Sequence, residues 1–130
     1  MTALLVVLGA SVGAPLRYAT DRMVQARVRS GFPWGTFIVN VAASLVLGAV
    51  LGAAARPTVA ALVGTGFCGA LSTYSTFGLE TVQLATHRRR RQAVLNVLGS
   101  ALACLAAAGL GYAIGFGYAV GFAAVGIGTR

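Results

Sequence analysis

Four apolar runs separated by short charged stretches give the chain its outline. The first, Ala3 to Leu16, carries no charge, but at 1.5 Å per residue it covers only about 21 Å. Crossing a hydrocarbon core of ~30 Å takes about 20 helical residues. The first span is therefore predicted to continue through Arg17 and Tyr18 to about Met23, which leaves Arg17 within or near the hydrocarbon. Gly35 to Ala55 reads as the second span, with Asn40 as its only amide. Pro33 and Trp34 mark its start, Trp34 as an interfacial anchor, and Arg56-Pro57 ends it. Val59 to Leu79 reads as the third span, closed by Glu80 and followed by His87-Arg88-Arg89-Arg90-Arg91 in a short loop. Ala93 to Thr129 is uncharged and too long for one upright helix, so the fourth span is placed at about 93–117 with a Gly-rich tail after it. No basic stretch precedes the first run, which is read as a retained helix and not as a cleaved signal peptide.

Inside the third run, Gly66 to Phe77 is poor helix material. Gly66 and Gly69 weaken a helix, and Ser72, Thr73, Ser75 and Thr76 offer the backbone competing hydrogen bonds. A break is expected near Gly69–Thr73. Backbone freed inside a membrane is tolerated only beside protein or a watery cavity, and broken helices near the midplane are where ions and small solutes bind. Tyr74 and Phe77 lie three apart and would share a helix face. The competing reading is a weakly packed helix with small residues at a helix contact. Glycines four apart recur at Gly9/Gly13, Gly48/Gly52, Gly111/Gly115 and Gly117/Gly121, a spacing that lets helix backbones approach closely.

Composition agrees with a membrane protein. Charged residues make up 9% of the chain, against about 25% in soluble domains. The predicted fold is all-α, with 1–130 forming a single four-helix transmembrane domain and a break in the third helix. Ten arginines against Asp21 and Glu80 give a net charge of +8. The arginines flank apolar runs instead of interleaving with them, which argues against nucleic acid and for membrane lipid as the surrounding partner. Cys68 and Cys104 both fall in apolar segments without metal-ligand spacing. No Ser/His/Asp set or phosphate loop is present, so an enzyme is not expected.

The intramembrane polar residues are donors without a carboxylate among them. Asn40 is either interhelical glue or an amide donor facing an anion. Ser75 and Thr76 either back-bond to their own helix or present hydroxyls. Asn96 and Ser100 on the fourth span are weaker candidates of the same kind. Tyr74 and Phe77 are either core residues or pore residues presenting positive ring edges. Arg17 either snorkels to the interface or is a buried cation near a vestibule. Glu80 and Arg88–Arg91 read as solvated flanks. A donor-rich set of this kind suits a small, strongly hydrated anion, whose lost water N–H, O–H and ring edges must replace.

Three segments carry a resemblance to the small fluoride ion channels called Fluc or CrcB. Gly9-Ala10-Ser11-Val12-Gly13-Ala14-Pro15-Leu16-Arg17-Tyr18 resembles that family's Gly-rich first helix. Gly35-Thr36-Phe37-Ile38-Val39-Asn40-Val41 resembles its GTLxVN segment. Gly66 to Glu80 resembles its GFxGGxTTFSTFSxE segment, with a looser match at Gly99-Ser100. The resemblance implies two chains packed antiparallel, with two fluoride pathways along their interface and passive fluoride export that relieves toxicity. It implies a structural sodium ion held by backbone carbonyls, which maps to Gly69 and Ser72. It places Asn40, Tyr74 and Phe77 along the pathway, with Ser75, Thr76 and Ser100 as polar support and Arg17 in a supporting role. Tyr74 stands where the family usually has Phe, and Ala70 replaces the usual second Gly. Two rivals remain. A small multidrug exporter also has four spans, but it needs a buried acid, and the first span has none before Asp21. A non-conducting accessory subunit is the other.

Charge counting adds an orientation. With four spans, the loops after the first and third lie on one side, which carries Arg22, Arg27, Arg29, Arg88, Arg89, Arg90 and Arg91. The other side carries Arg56 and Arg130. Arginine in short loops stays cytoplasmic, so both termini are expected outside the cell membrane. An antiparallel homodimer needs a chain that inserts both ways and therefore nearly balanced loops. The expected partner is instead a homologous second subunit in the opposite orientation, forming a heterodimer.

Overall fold

The computed structural model describes residues 1–127, with side chains as far as residue 124. Helix α1 spans Thr2–Arg27 and α2 spans Trp34–Gly52. A third helix, α3, covers 57–71; its stretch Ala60–Cys68 is wound as a π-helix. Helix α4 spans Tyr74–Thr86 and α5 spans Arg90–Ile127. Helices α1, α2 and α5 are each long and apolar enough to cross a membrane. The third predicted span falls on α3 and α4, neither of which is long enough to cross a membrane alone. This is the build of a multi-pass membrane protein.

Two seams of small residues hold the bundle. Helix α1 packs on α3, and α2 packs on α5. Along the first seam Gly9 and Gly13 face the backbone of Leu62–Leu71, and Gly66 faces Val6 and Gly9. Along the second, Gly48 and Gly52 meet the carbonyls of Ala108 and Tyr112. Gly111 and Gly115 return the contact on Leu45 and Ala49. These pairs bring helix backbones together as their spacing predicts. Gly117 and Gly121 do not: among the described residues, a Cβ at either would meet nothing within 4 Å. Val39, Ala43, Cys68 and Leu71 form a buried cluster between α2 and α3, just before the latter's end.

Three sequence expectations are corrected. The first helix passes Pro15 as expected but continues one turn beyond Met23, to Arg27. The fourth helix continues past 117 to Ile127, because glycines in an apolar run do not stop a helix whose backbone has no water to turn to. Only 128–130 of the predicted tail lie outside the described residues. The second span stops at Gly52 and not at Ala55.

That stop has a visible cause. Ala54 sits at φ 47°, with its N–H on Leu51 O at 3.1 Å and the Ala55 N–H on Val50 O at 3.3 Å. Glycine is the usual residue at such a left-handed helix end, because a Cβ there is strained. Ala54→Gly is therefore expected to raise stability by roughly 1 kcal/mol, measured as a higher melting temperature of the protein in detergent.

Candidate functional site

The chain between α3 and α4 is extended at Ser72 (φ −75°, ψ 157°) and Thr73 (φ −151°, ψ 120°). The ladder of α3 ends with the Ser72 N–H on Cys68 O at 2.9 Å. In a continuing helix the Thr73 N–H would take the Gly69 carbonyl. Here it donates to Asn40 Oδ1 at 2.9 Å. Asn40 Nδ2 makes only a long contact of 3.5 Å to the Thr73 carbonyl, beyond the usual hydrogen-bond range. So the Asn40 oxygen holds the extended segment, while its NH₂ keeps donor capacity.

Thr73 also starts α4. Its Oγ1 accepts from the Thr76 N–H at 3.3 Å, donates to Thr76 Oγ1 at 3.1 Å and lies 3.4 Å from Ser75 Oγ. An N-cap threonine takes up one of the free N–H groups of a helix start. The sequence reading assigned Thr73 no such role, although a Thr directly before a helical Tyr-Ser-Thr-Phe run is an ordinary N-cap signal.

The predicted residues fall on two sides of this segment. Asn40, Tyr74, Phe77 and Ser100 line a groove of about 480 Å³, together with Ser72 and Cys104. Tyr74 is 88% exposed, so the groove is open along one side. The Tyr74 and Phe77 ring centroids lie 6.3 Å apart, as their spacing on one helix face predicts. Thr76 and Arg17 instead line a smaller cavity of about 130 Å³ with Tyr18, Asp21, Thr36 and Thr73. Ser75 is exposed beside neither.

Ser100 and Asn96 are tied together. Buried Asn96 donates to Thr81 Oγ1 at 2.9 Å, Thr81 donates to Phe77 O at 2.8 Å, and the Ser100 hydroxyl lies 3.4 Å from Asn96 Oδ1. This chain of bonds anchors the backbone that carries the Phe77 ring. Gly69 is ordinary right-handed helix (φ −64°, ψ −35°), not part of the extended segment, which begins at Ser72. Glu80 corrects the reading of a solvated flank. It is half-buried, its Oε1 accepts from Thr36 Oγ1 at 2.9 Å, and its Oε2 is buried without a partner. The two residues are 44 apart in sequence, so no local pattern points to the pair.

Comparison with known proteins settles the family. The family model described as CrcB-like protein, Camphor Resistance (CrcB), matches residues 4–112. The chain belongs to the CrcB family. A protein of Frankia casuarinae called fluoride-specific ion channel FluC 1 is 57% identical over 123 residues, covering 88% of this chain and 95% of that protein. One of the same name from Streptomyces avermitilis is 54% identical, covering 83% of this chain and 90% of that protein. Fluoride-specific ion channel FluC 2 of Rhodococcus jostii is 52% identical, covering 86% and 96%. In this CrcB chain the matched residues include Asn40, the extended segment, both aromatics and Ser100, so the two cavities belong to the part shared with the family.

Proposed function

We propose that this chain conducts fluoride passively out of the cell, as one subunit of an antiparallel dimer in the plasma membrane. It is a channel and not an enzyme. The observation that carries the reading is Asn40 in the groove with Phe77 and Tyr74: an amide NH₂ whose contact with the fold is one long 3.5 Å approach to the Thr73 carbonyl, beside two aromatic rings, in a chain whose relatives are named for fluoride. Fluoride gives up water only where donors replace it. A groove open along one side needs a second chain to close it, and that supports the dimer. The relatives' names FluC 1 and FluC 2 suit paired subunits, and the fold gathers the loop 28–33 and Arg89 at one end. Seven arginines against two favour one orientation for this chain, with both termini outside and a homologous, oppositely inserted partner. Tyr74 fits a heterodimer, in which one pathway can drift while the other conducts. Liposomes holding this chain alone are expected to release fluoride slowly, and liposomes that also hold the homologue to release it fast. Fast efflux by the chain alone would remove the obligate partner; no efflux from either preparation would remove the channel.

The carbonyls of Gly69 and Ser72 fit a structural sodium ion chemically. They are main-chain oxygens at a helix end whose next N–H has turned to Asn40, and oxygen is the donor hard cations take. Gly69 and Ser72 would hold the ion, which when bound supplies positive charge between the subunits. Ser72→Ala should be mild, because the donor is main chain. Gly69→Val should cost sodium-dependent dimerisation. A Cβ at Gly69 meets nothing within 4 Å in its own chain, so its damage falls on the partner or the ion. Size-exclusion profiles with and without sodium test both; an unchanged Gly69→Val dimer removes the site.

A further inference from the structure

The Arg-rich end of the bundle carries two cavities that the channel reading does not use. One, of about 410 Å³, is lined by Arg29 and Arg89 with Gln25 and Ser30. The other, of about 360 Å³, is lined by Met23, Val24, Val28, Trp34 and Ile38, with Arg27 at its edge. The two adjoin, because Val24, Val28 and Trp34 line both. Arg89 is not simply splayed into water. Its guanidinium lies across Gly31, where an added Cβ would collide with it. Phe32, Trp34 and Phe37 cluster beside it, with ring centroids 4.8 to 6.1 Å apart. Such aromatics sit at the headgroup level of a bilayer. Met23, Val28 and Ile38 are 56, 43 and 42% exposed along the apolar cavity.

We propose that this paired site binds an anionic phospholipid, its headgroup phosphate on Arg29 and Arg89 and an acyl chain along Met23 and Ile38. The charge at this end is not cancelled within the chain. Asp21 lines the basic cavity and Glu80 the neighbouring one that Arg89 also reaches, but these two carboxylates stand against the seven arginines of this end. Arg27, Arg88, Arg90 and Arg91 add positive charge at the same end. Basic clusters at a membrane surface attract anionic lipid by about 1 kcal/mol per residue. Guanidinium is suited to phosphate because its fork of N–H groups matches two oxygens at once. The adjoining apolar cavity decides between sources: free phosphate has nothing to place there, whereas a lipid does.

Native mass spectrometry of the intact protein, released from detergent with phosphatidylglycerol, phosphatidylcholine or inorganic phosphate, tests this. Phosphatidylglycerol is expected to stay bound in preference to phosphatidylcholine, and inorganic phosphate at equal concentration is expected not to displace it. Arg29→Gln or Arg89→Gln should each weaken retention roughly fivefold. Arg89→Lys should restore much of the binding, and Arg56→Gln, at the opposite end of the bundle, should change nothing. Equal retention of both lipids, displacement by inorganic phosphate, or an equal loss in Arg56→Gln would overturn the proposal. Should Arg89→Gln fail to fold, exposed Arg29 supplies the same comparison.

Discussion

Asn40→Asp is expected to abolish fluoride flux at neutral pH while the protein still assembles. The two halves of that outcome come from the two atoms of one amide. Asn40 Oδ1 accepts the Thr73 N–H at 2.9 Å, and an aspartate oxygen can do the same, so the extended segment keeps its anchor. The Nδ2 donor is replaced by a second oxygen that carries charge. A carboxylate about 4 Å from a passing anion costs ~4 kcal/mol at an effective dielectric of 20, which slows flux on the order of a thousandfold. Asn40→Ala separates the contributions. It leaves the Thr73 N–H without its acceptor, a loss of about 1–3 kcal/mol if no water reaches it, so its melting temperature should fall where that of Asn40→Asp holds. Efflux from liposomes paired with thermal melting reads both. Normal flux in a well-assembled Asn40→Asp protein would take Asn40 out of the pathway and leave it a structural clamp.

The clamp shows where the sequence was legible. Apolar runs bounded by Pro33-Trp34 and Arg56-Pro57 located α2 to within a few residues, because long apolar stretches have one stable answer in lipid. The glycine spacing at Gly48/Gly52 and Gly111/Gly115 pointed to close helix packing without saying which helices pair; the fold brings both pairs together on the α2–α5 seam. Gly117/Gly121 has the same spacing, yet among the described residues a Cβ at either meets nothing within 4 Å; spacing permits close approach and does not supply the partner. The weak stretch at Gly66–Phe77 was recognised, but its weakness was placed too broadly. The extended residues are Ser72 and Thr73, while Gly66 and Gly69 remain helical and Gly66 serves contact with α1. What sequence could not supply was pairing at a distance. Asn40 with Thr73 and Thr36 with Glu80 are separated by 33 and 44 residues. Each joins α2 to the α3–α4 region, and neither follows from a local period. The same lack of distance information grouped Thr76 with Phe77 along one pathway, although the fold places Thr76 with Arg17 in another cavity.

Gly111→Val should be the most damaging substitution on α5, and Gly109→Val, two residues away, among the mildest. A Cβ at Gly111 would run into the Leu45 carbonyl of α2, whereas one at Gly109 meets nothing within 4 Å. Leu45 O belongs to helix backbone and cannot swing aside as a side chain does, so α2 and α5 must separate. Overpacking of this kind costs about 1–3 kcal/mol or more, and separation also opens the matching contacts of Gly48, Gly52 and Gly115. At Gly109 helix propensity alone decides, and valine there is within ~1 kcal/mol of glycine. The seam has a functional consequence as well. Ser44 on α2 and Ala101 and Cys104 on α5 line the groove, and the seam closes Gly48 onto Ala108, one turn beyond. A bundle that survives Gly111→Val should therefore carry a widened groove and discriminate poorly between fluoride and chloride. Melting of both variants in detergent, with fluoride and chloride efflux from liposomes, distinguishes the effects. Equal melting temperatures for the two variants would show that the α2–α5 contact is not closed by these glycines.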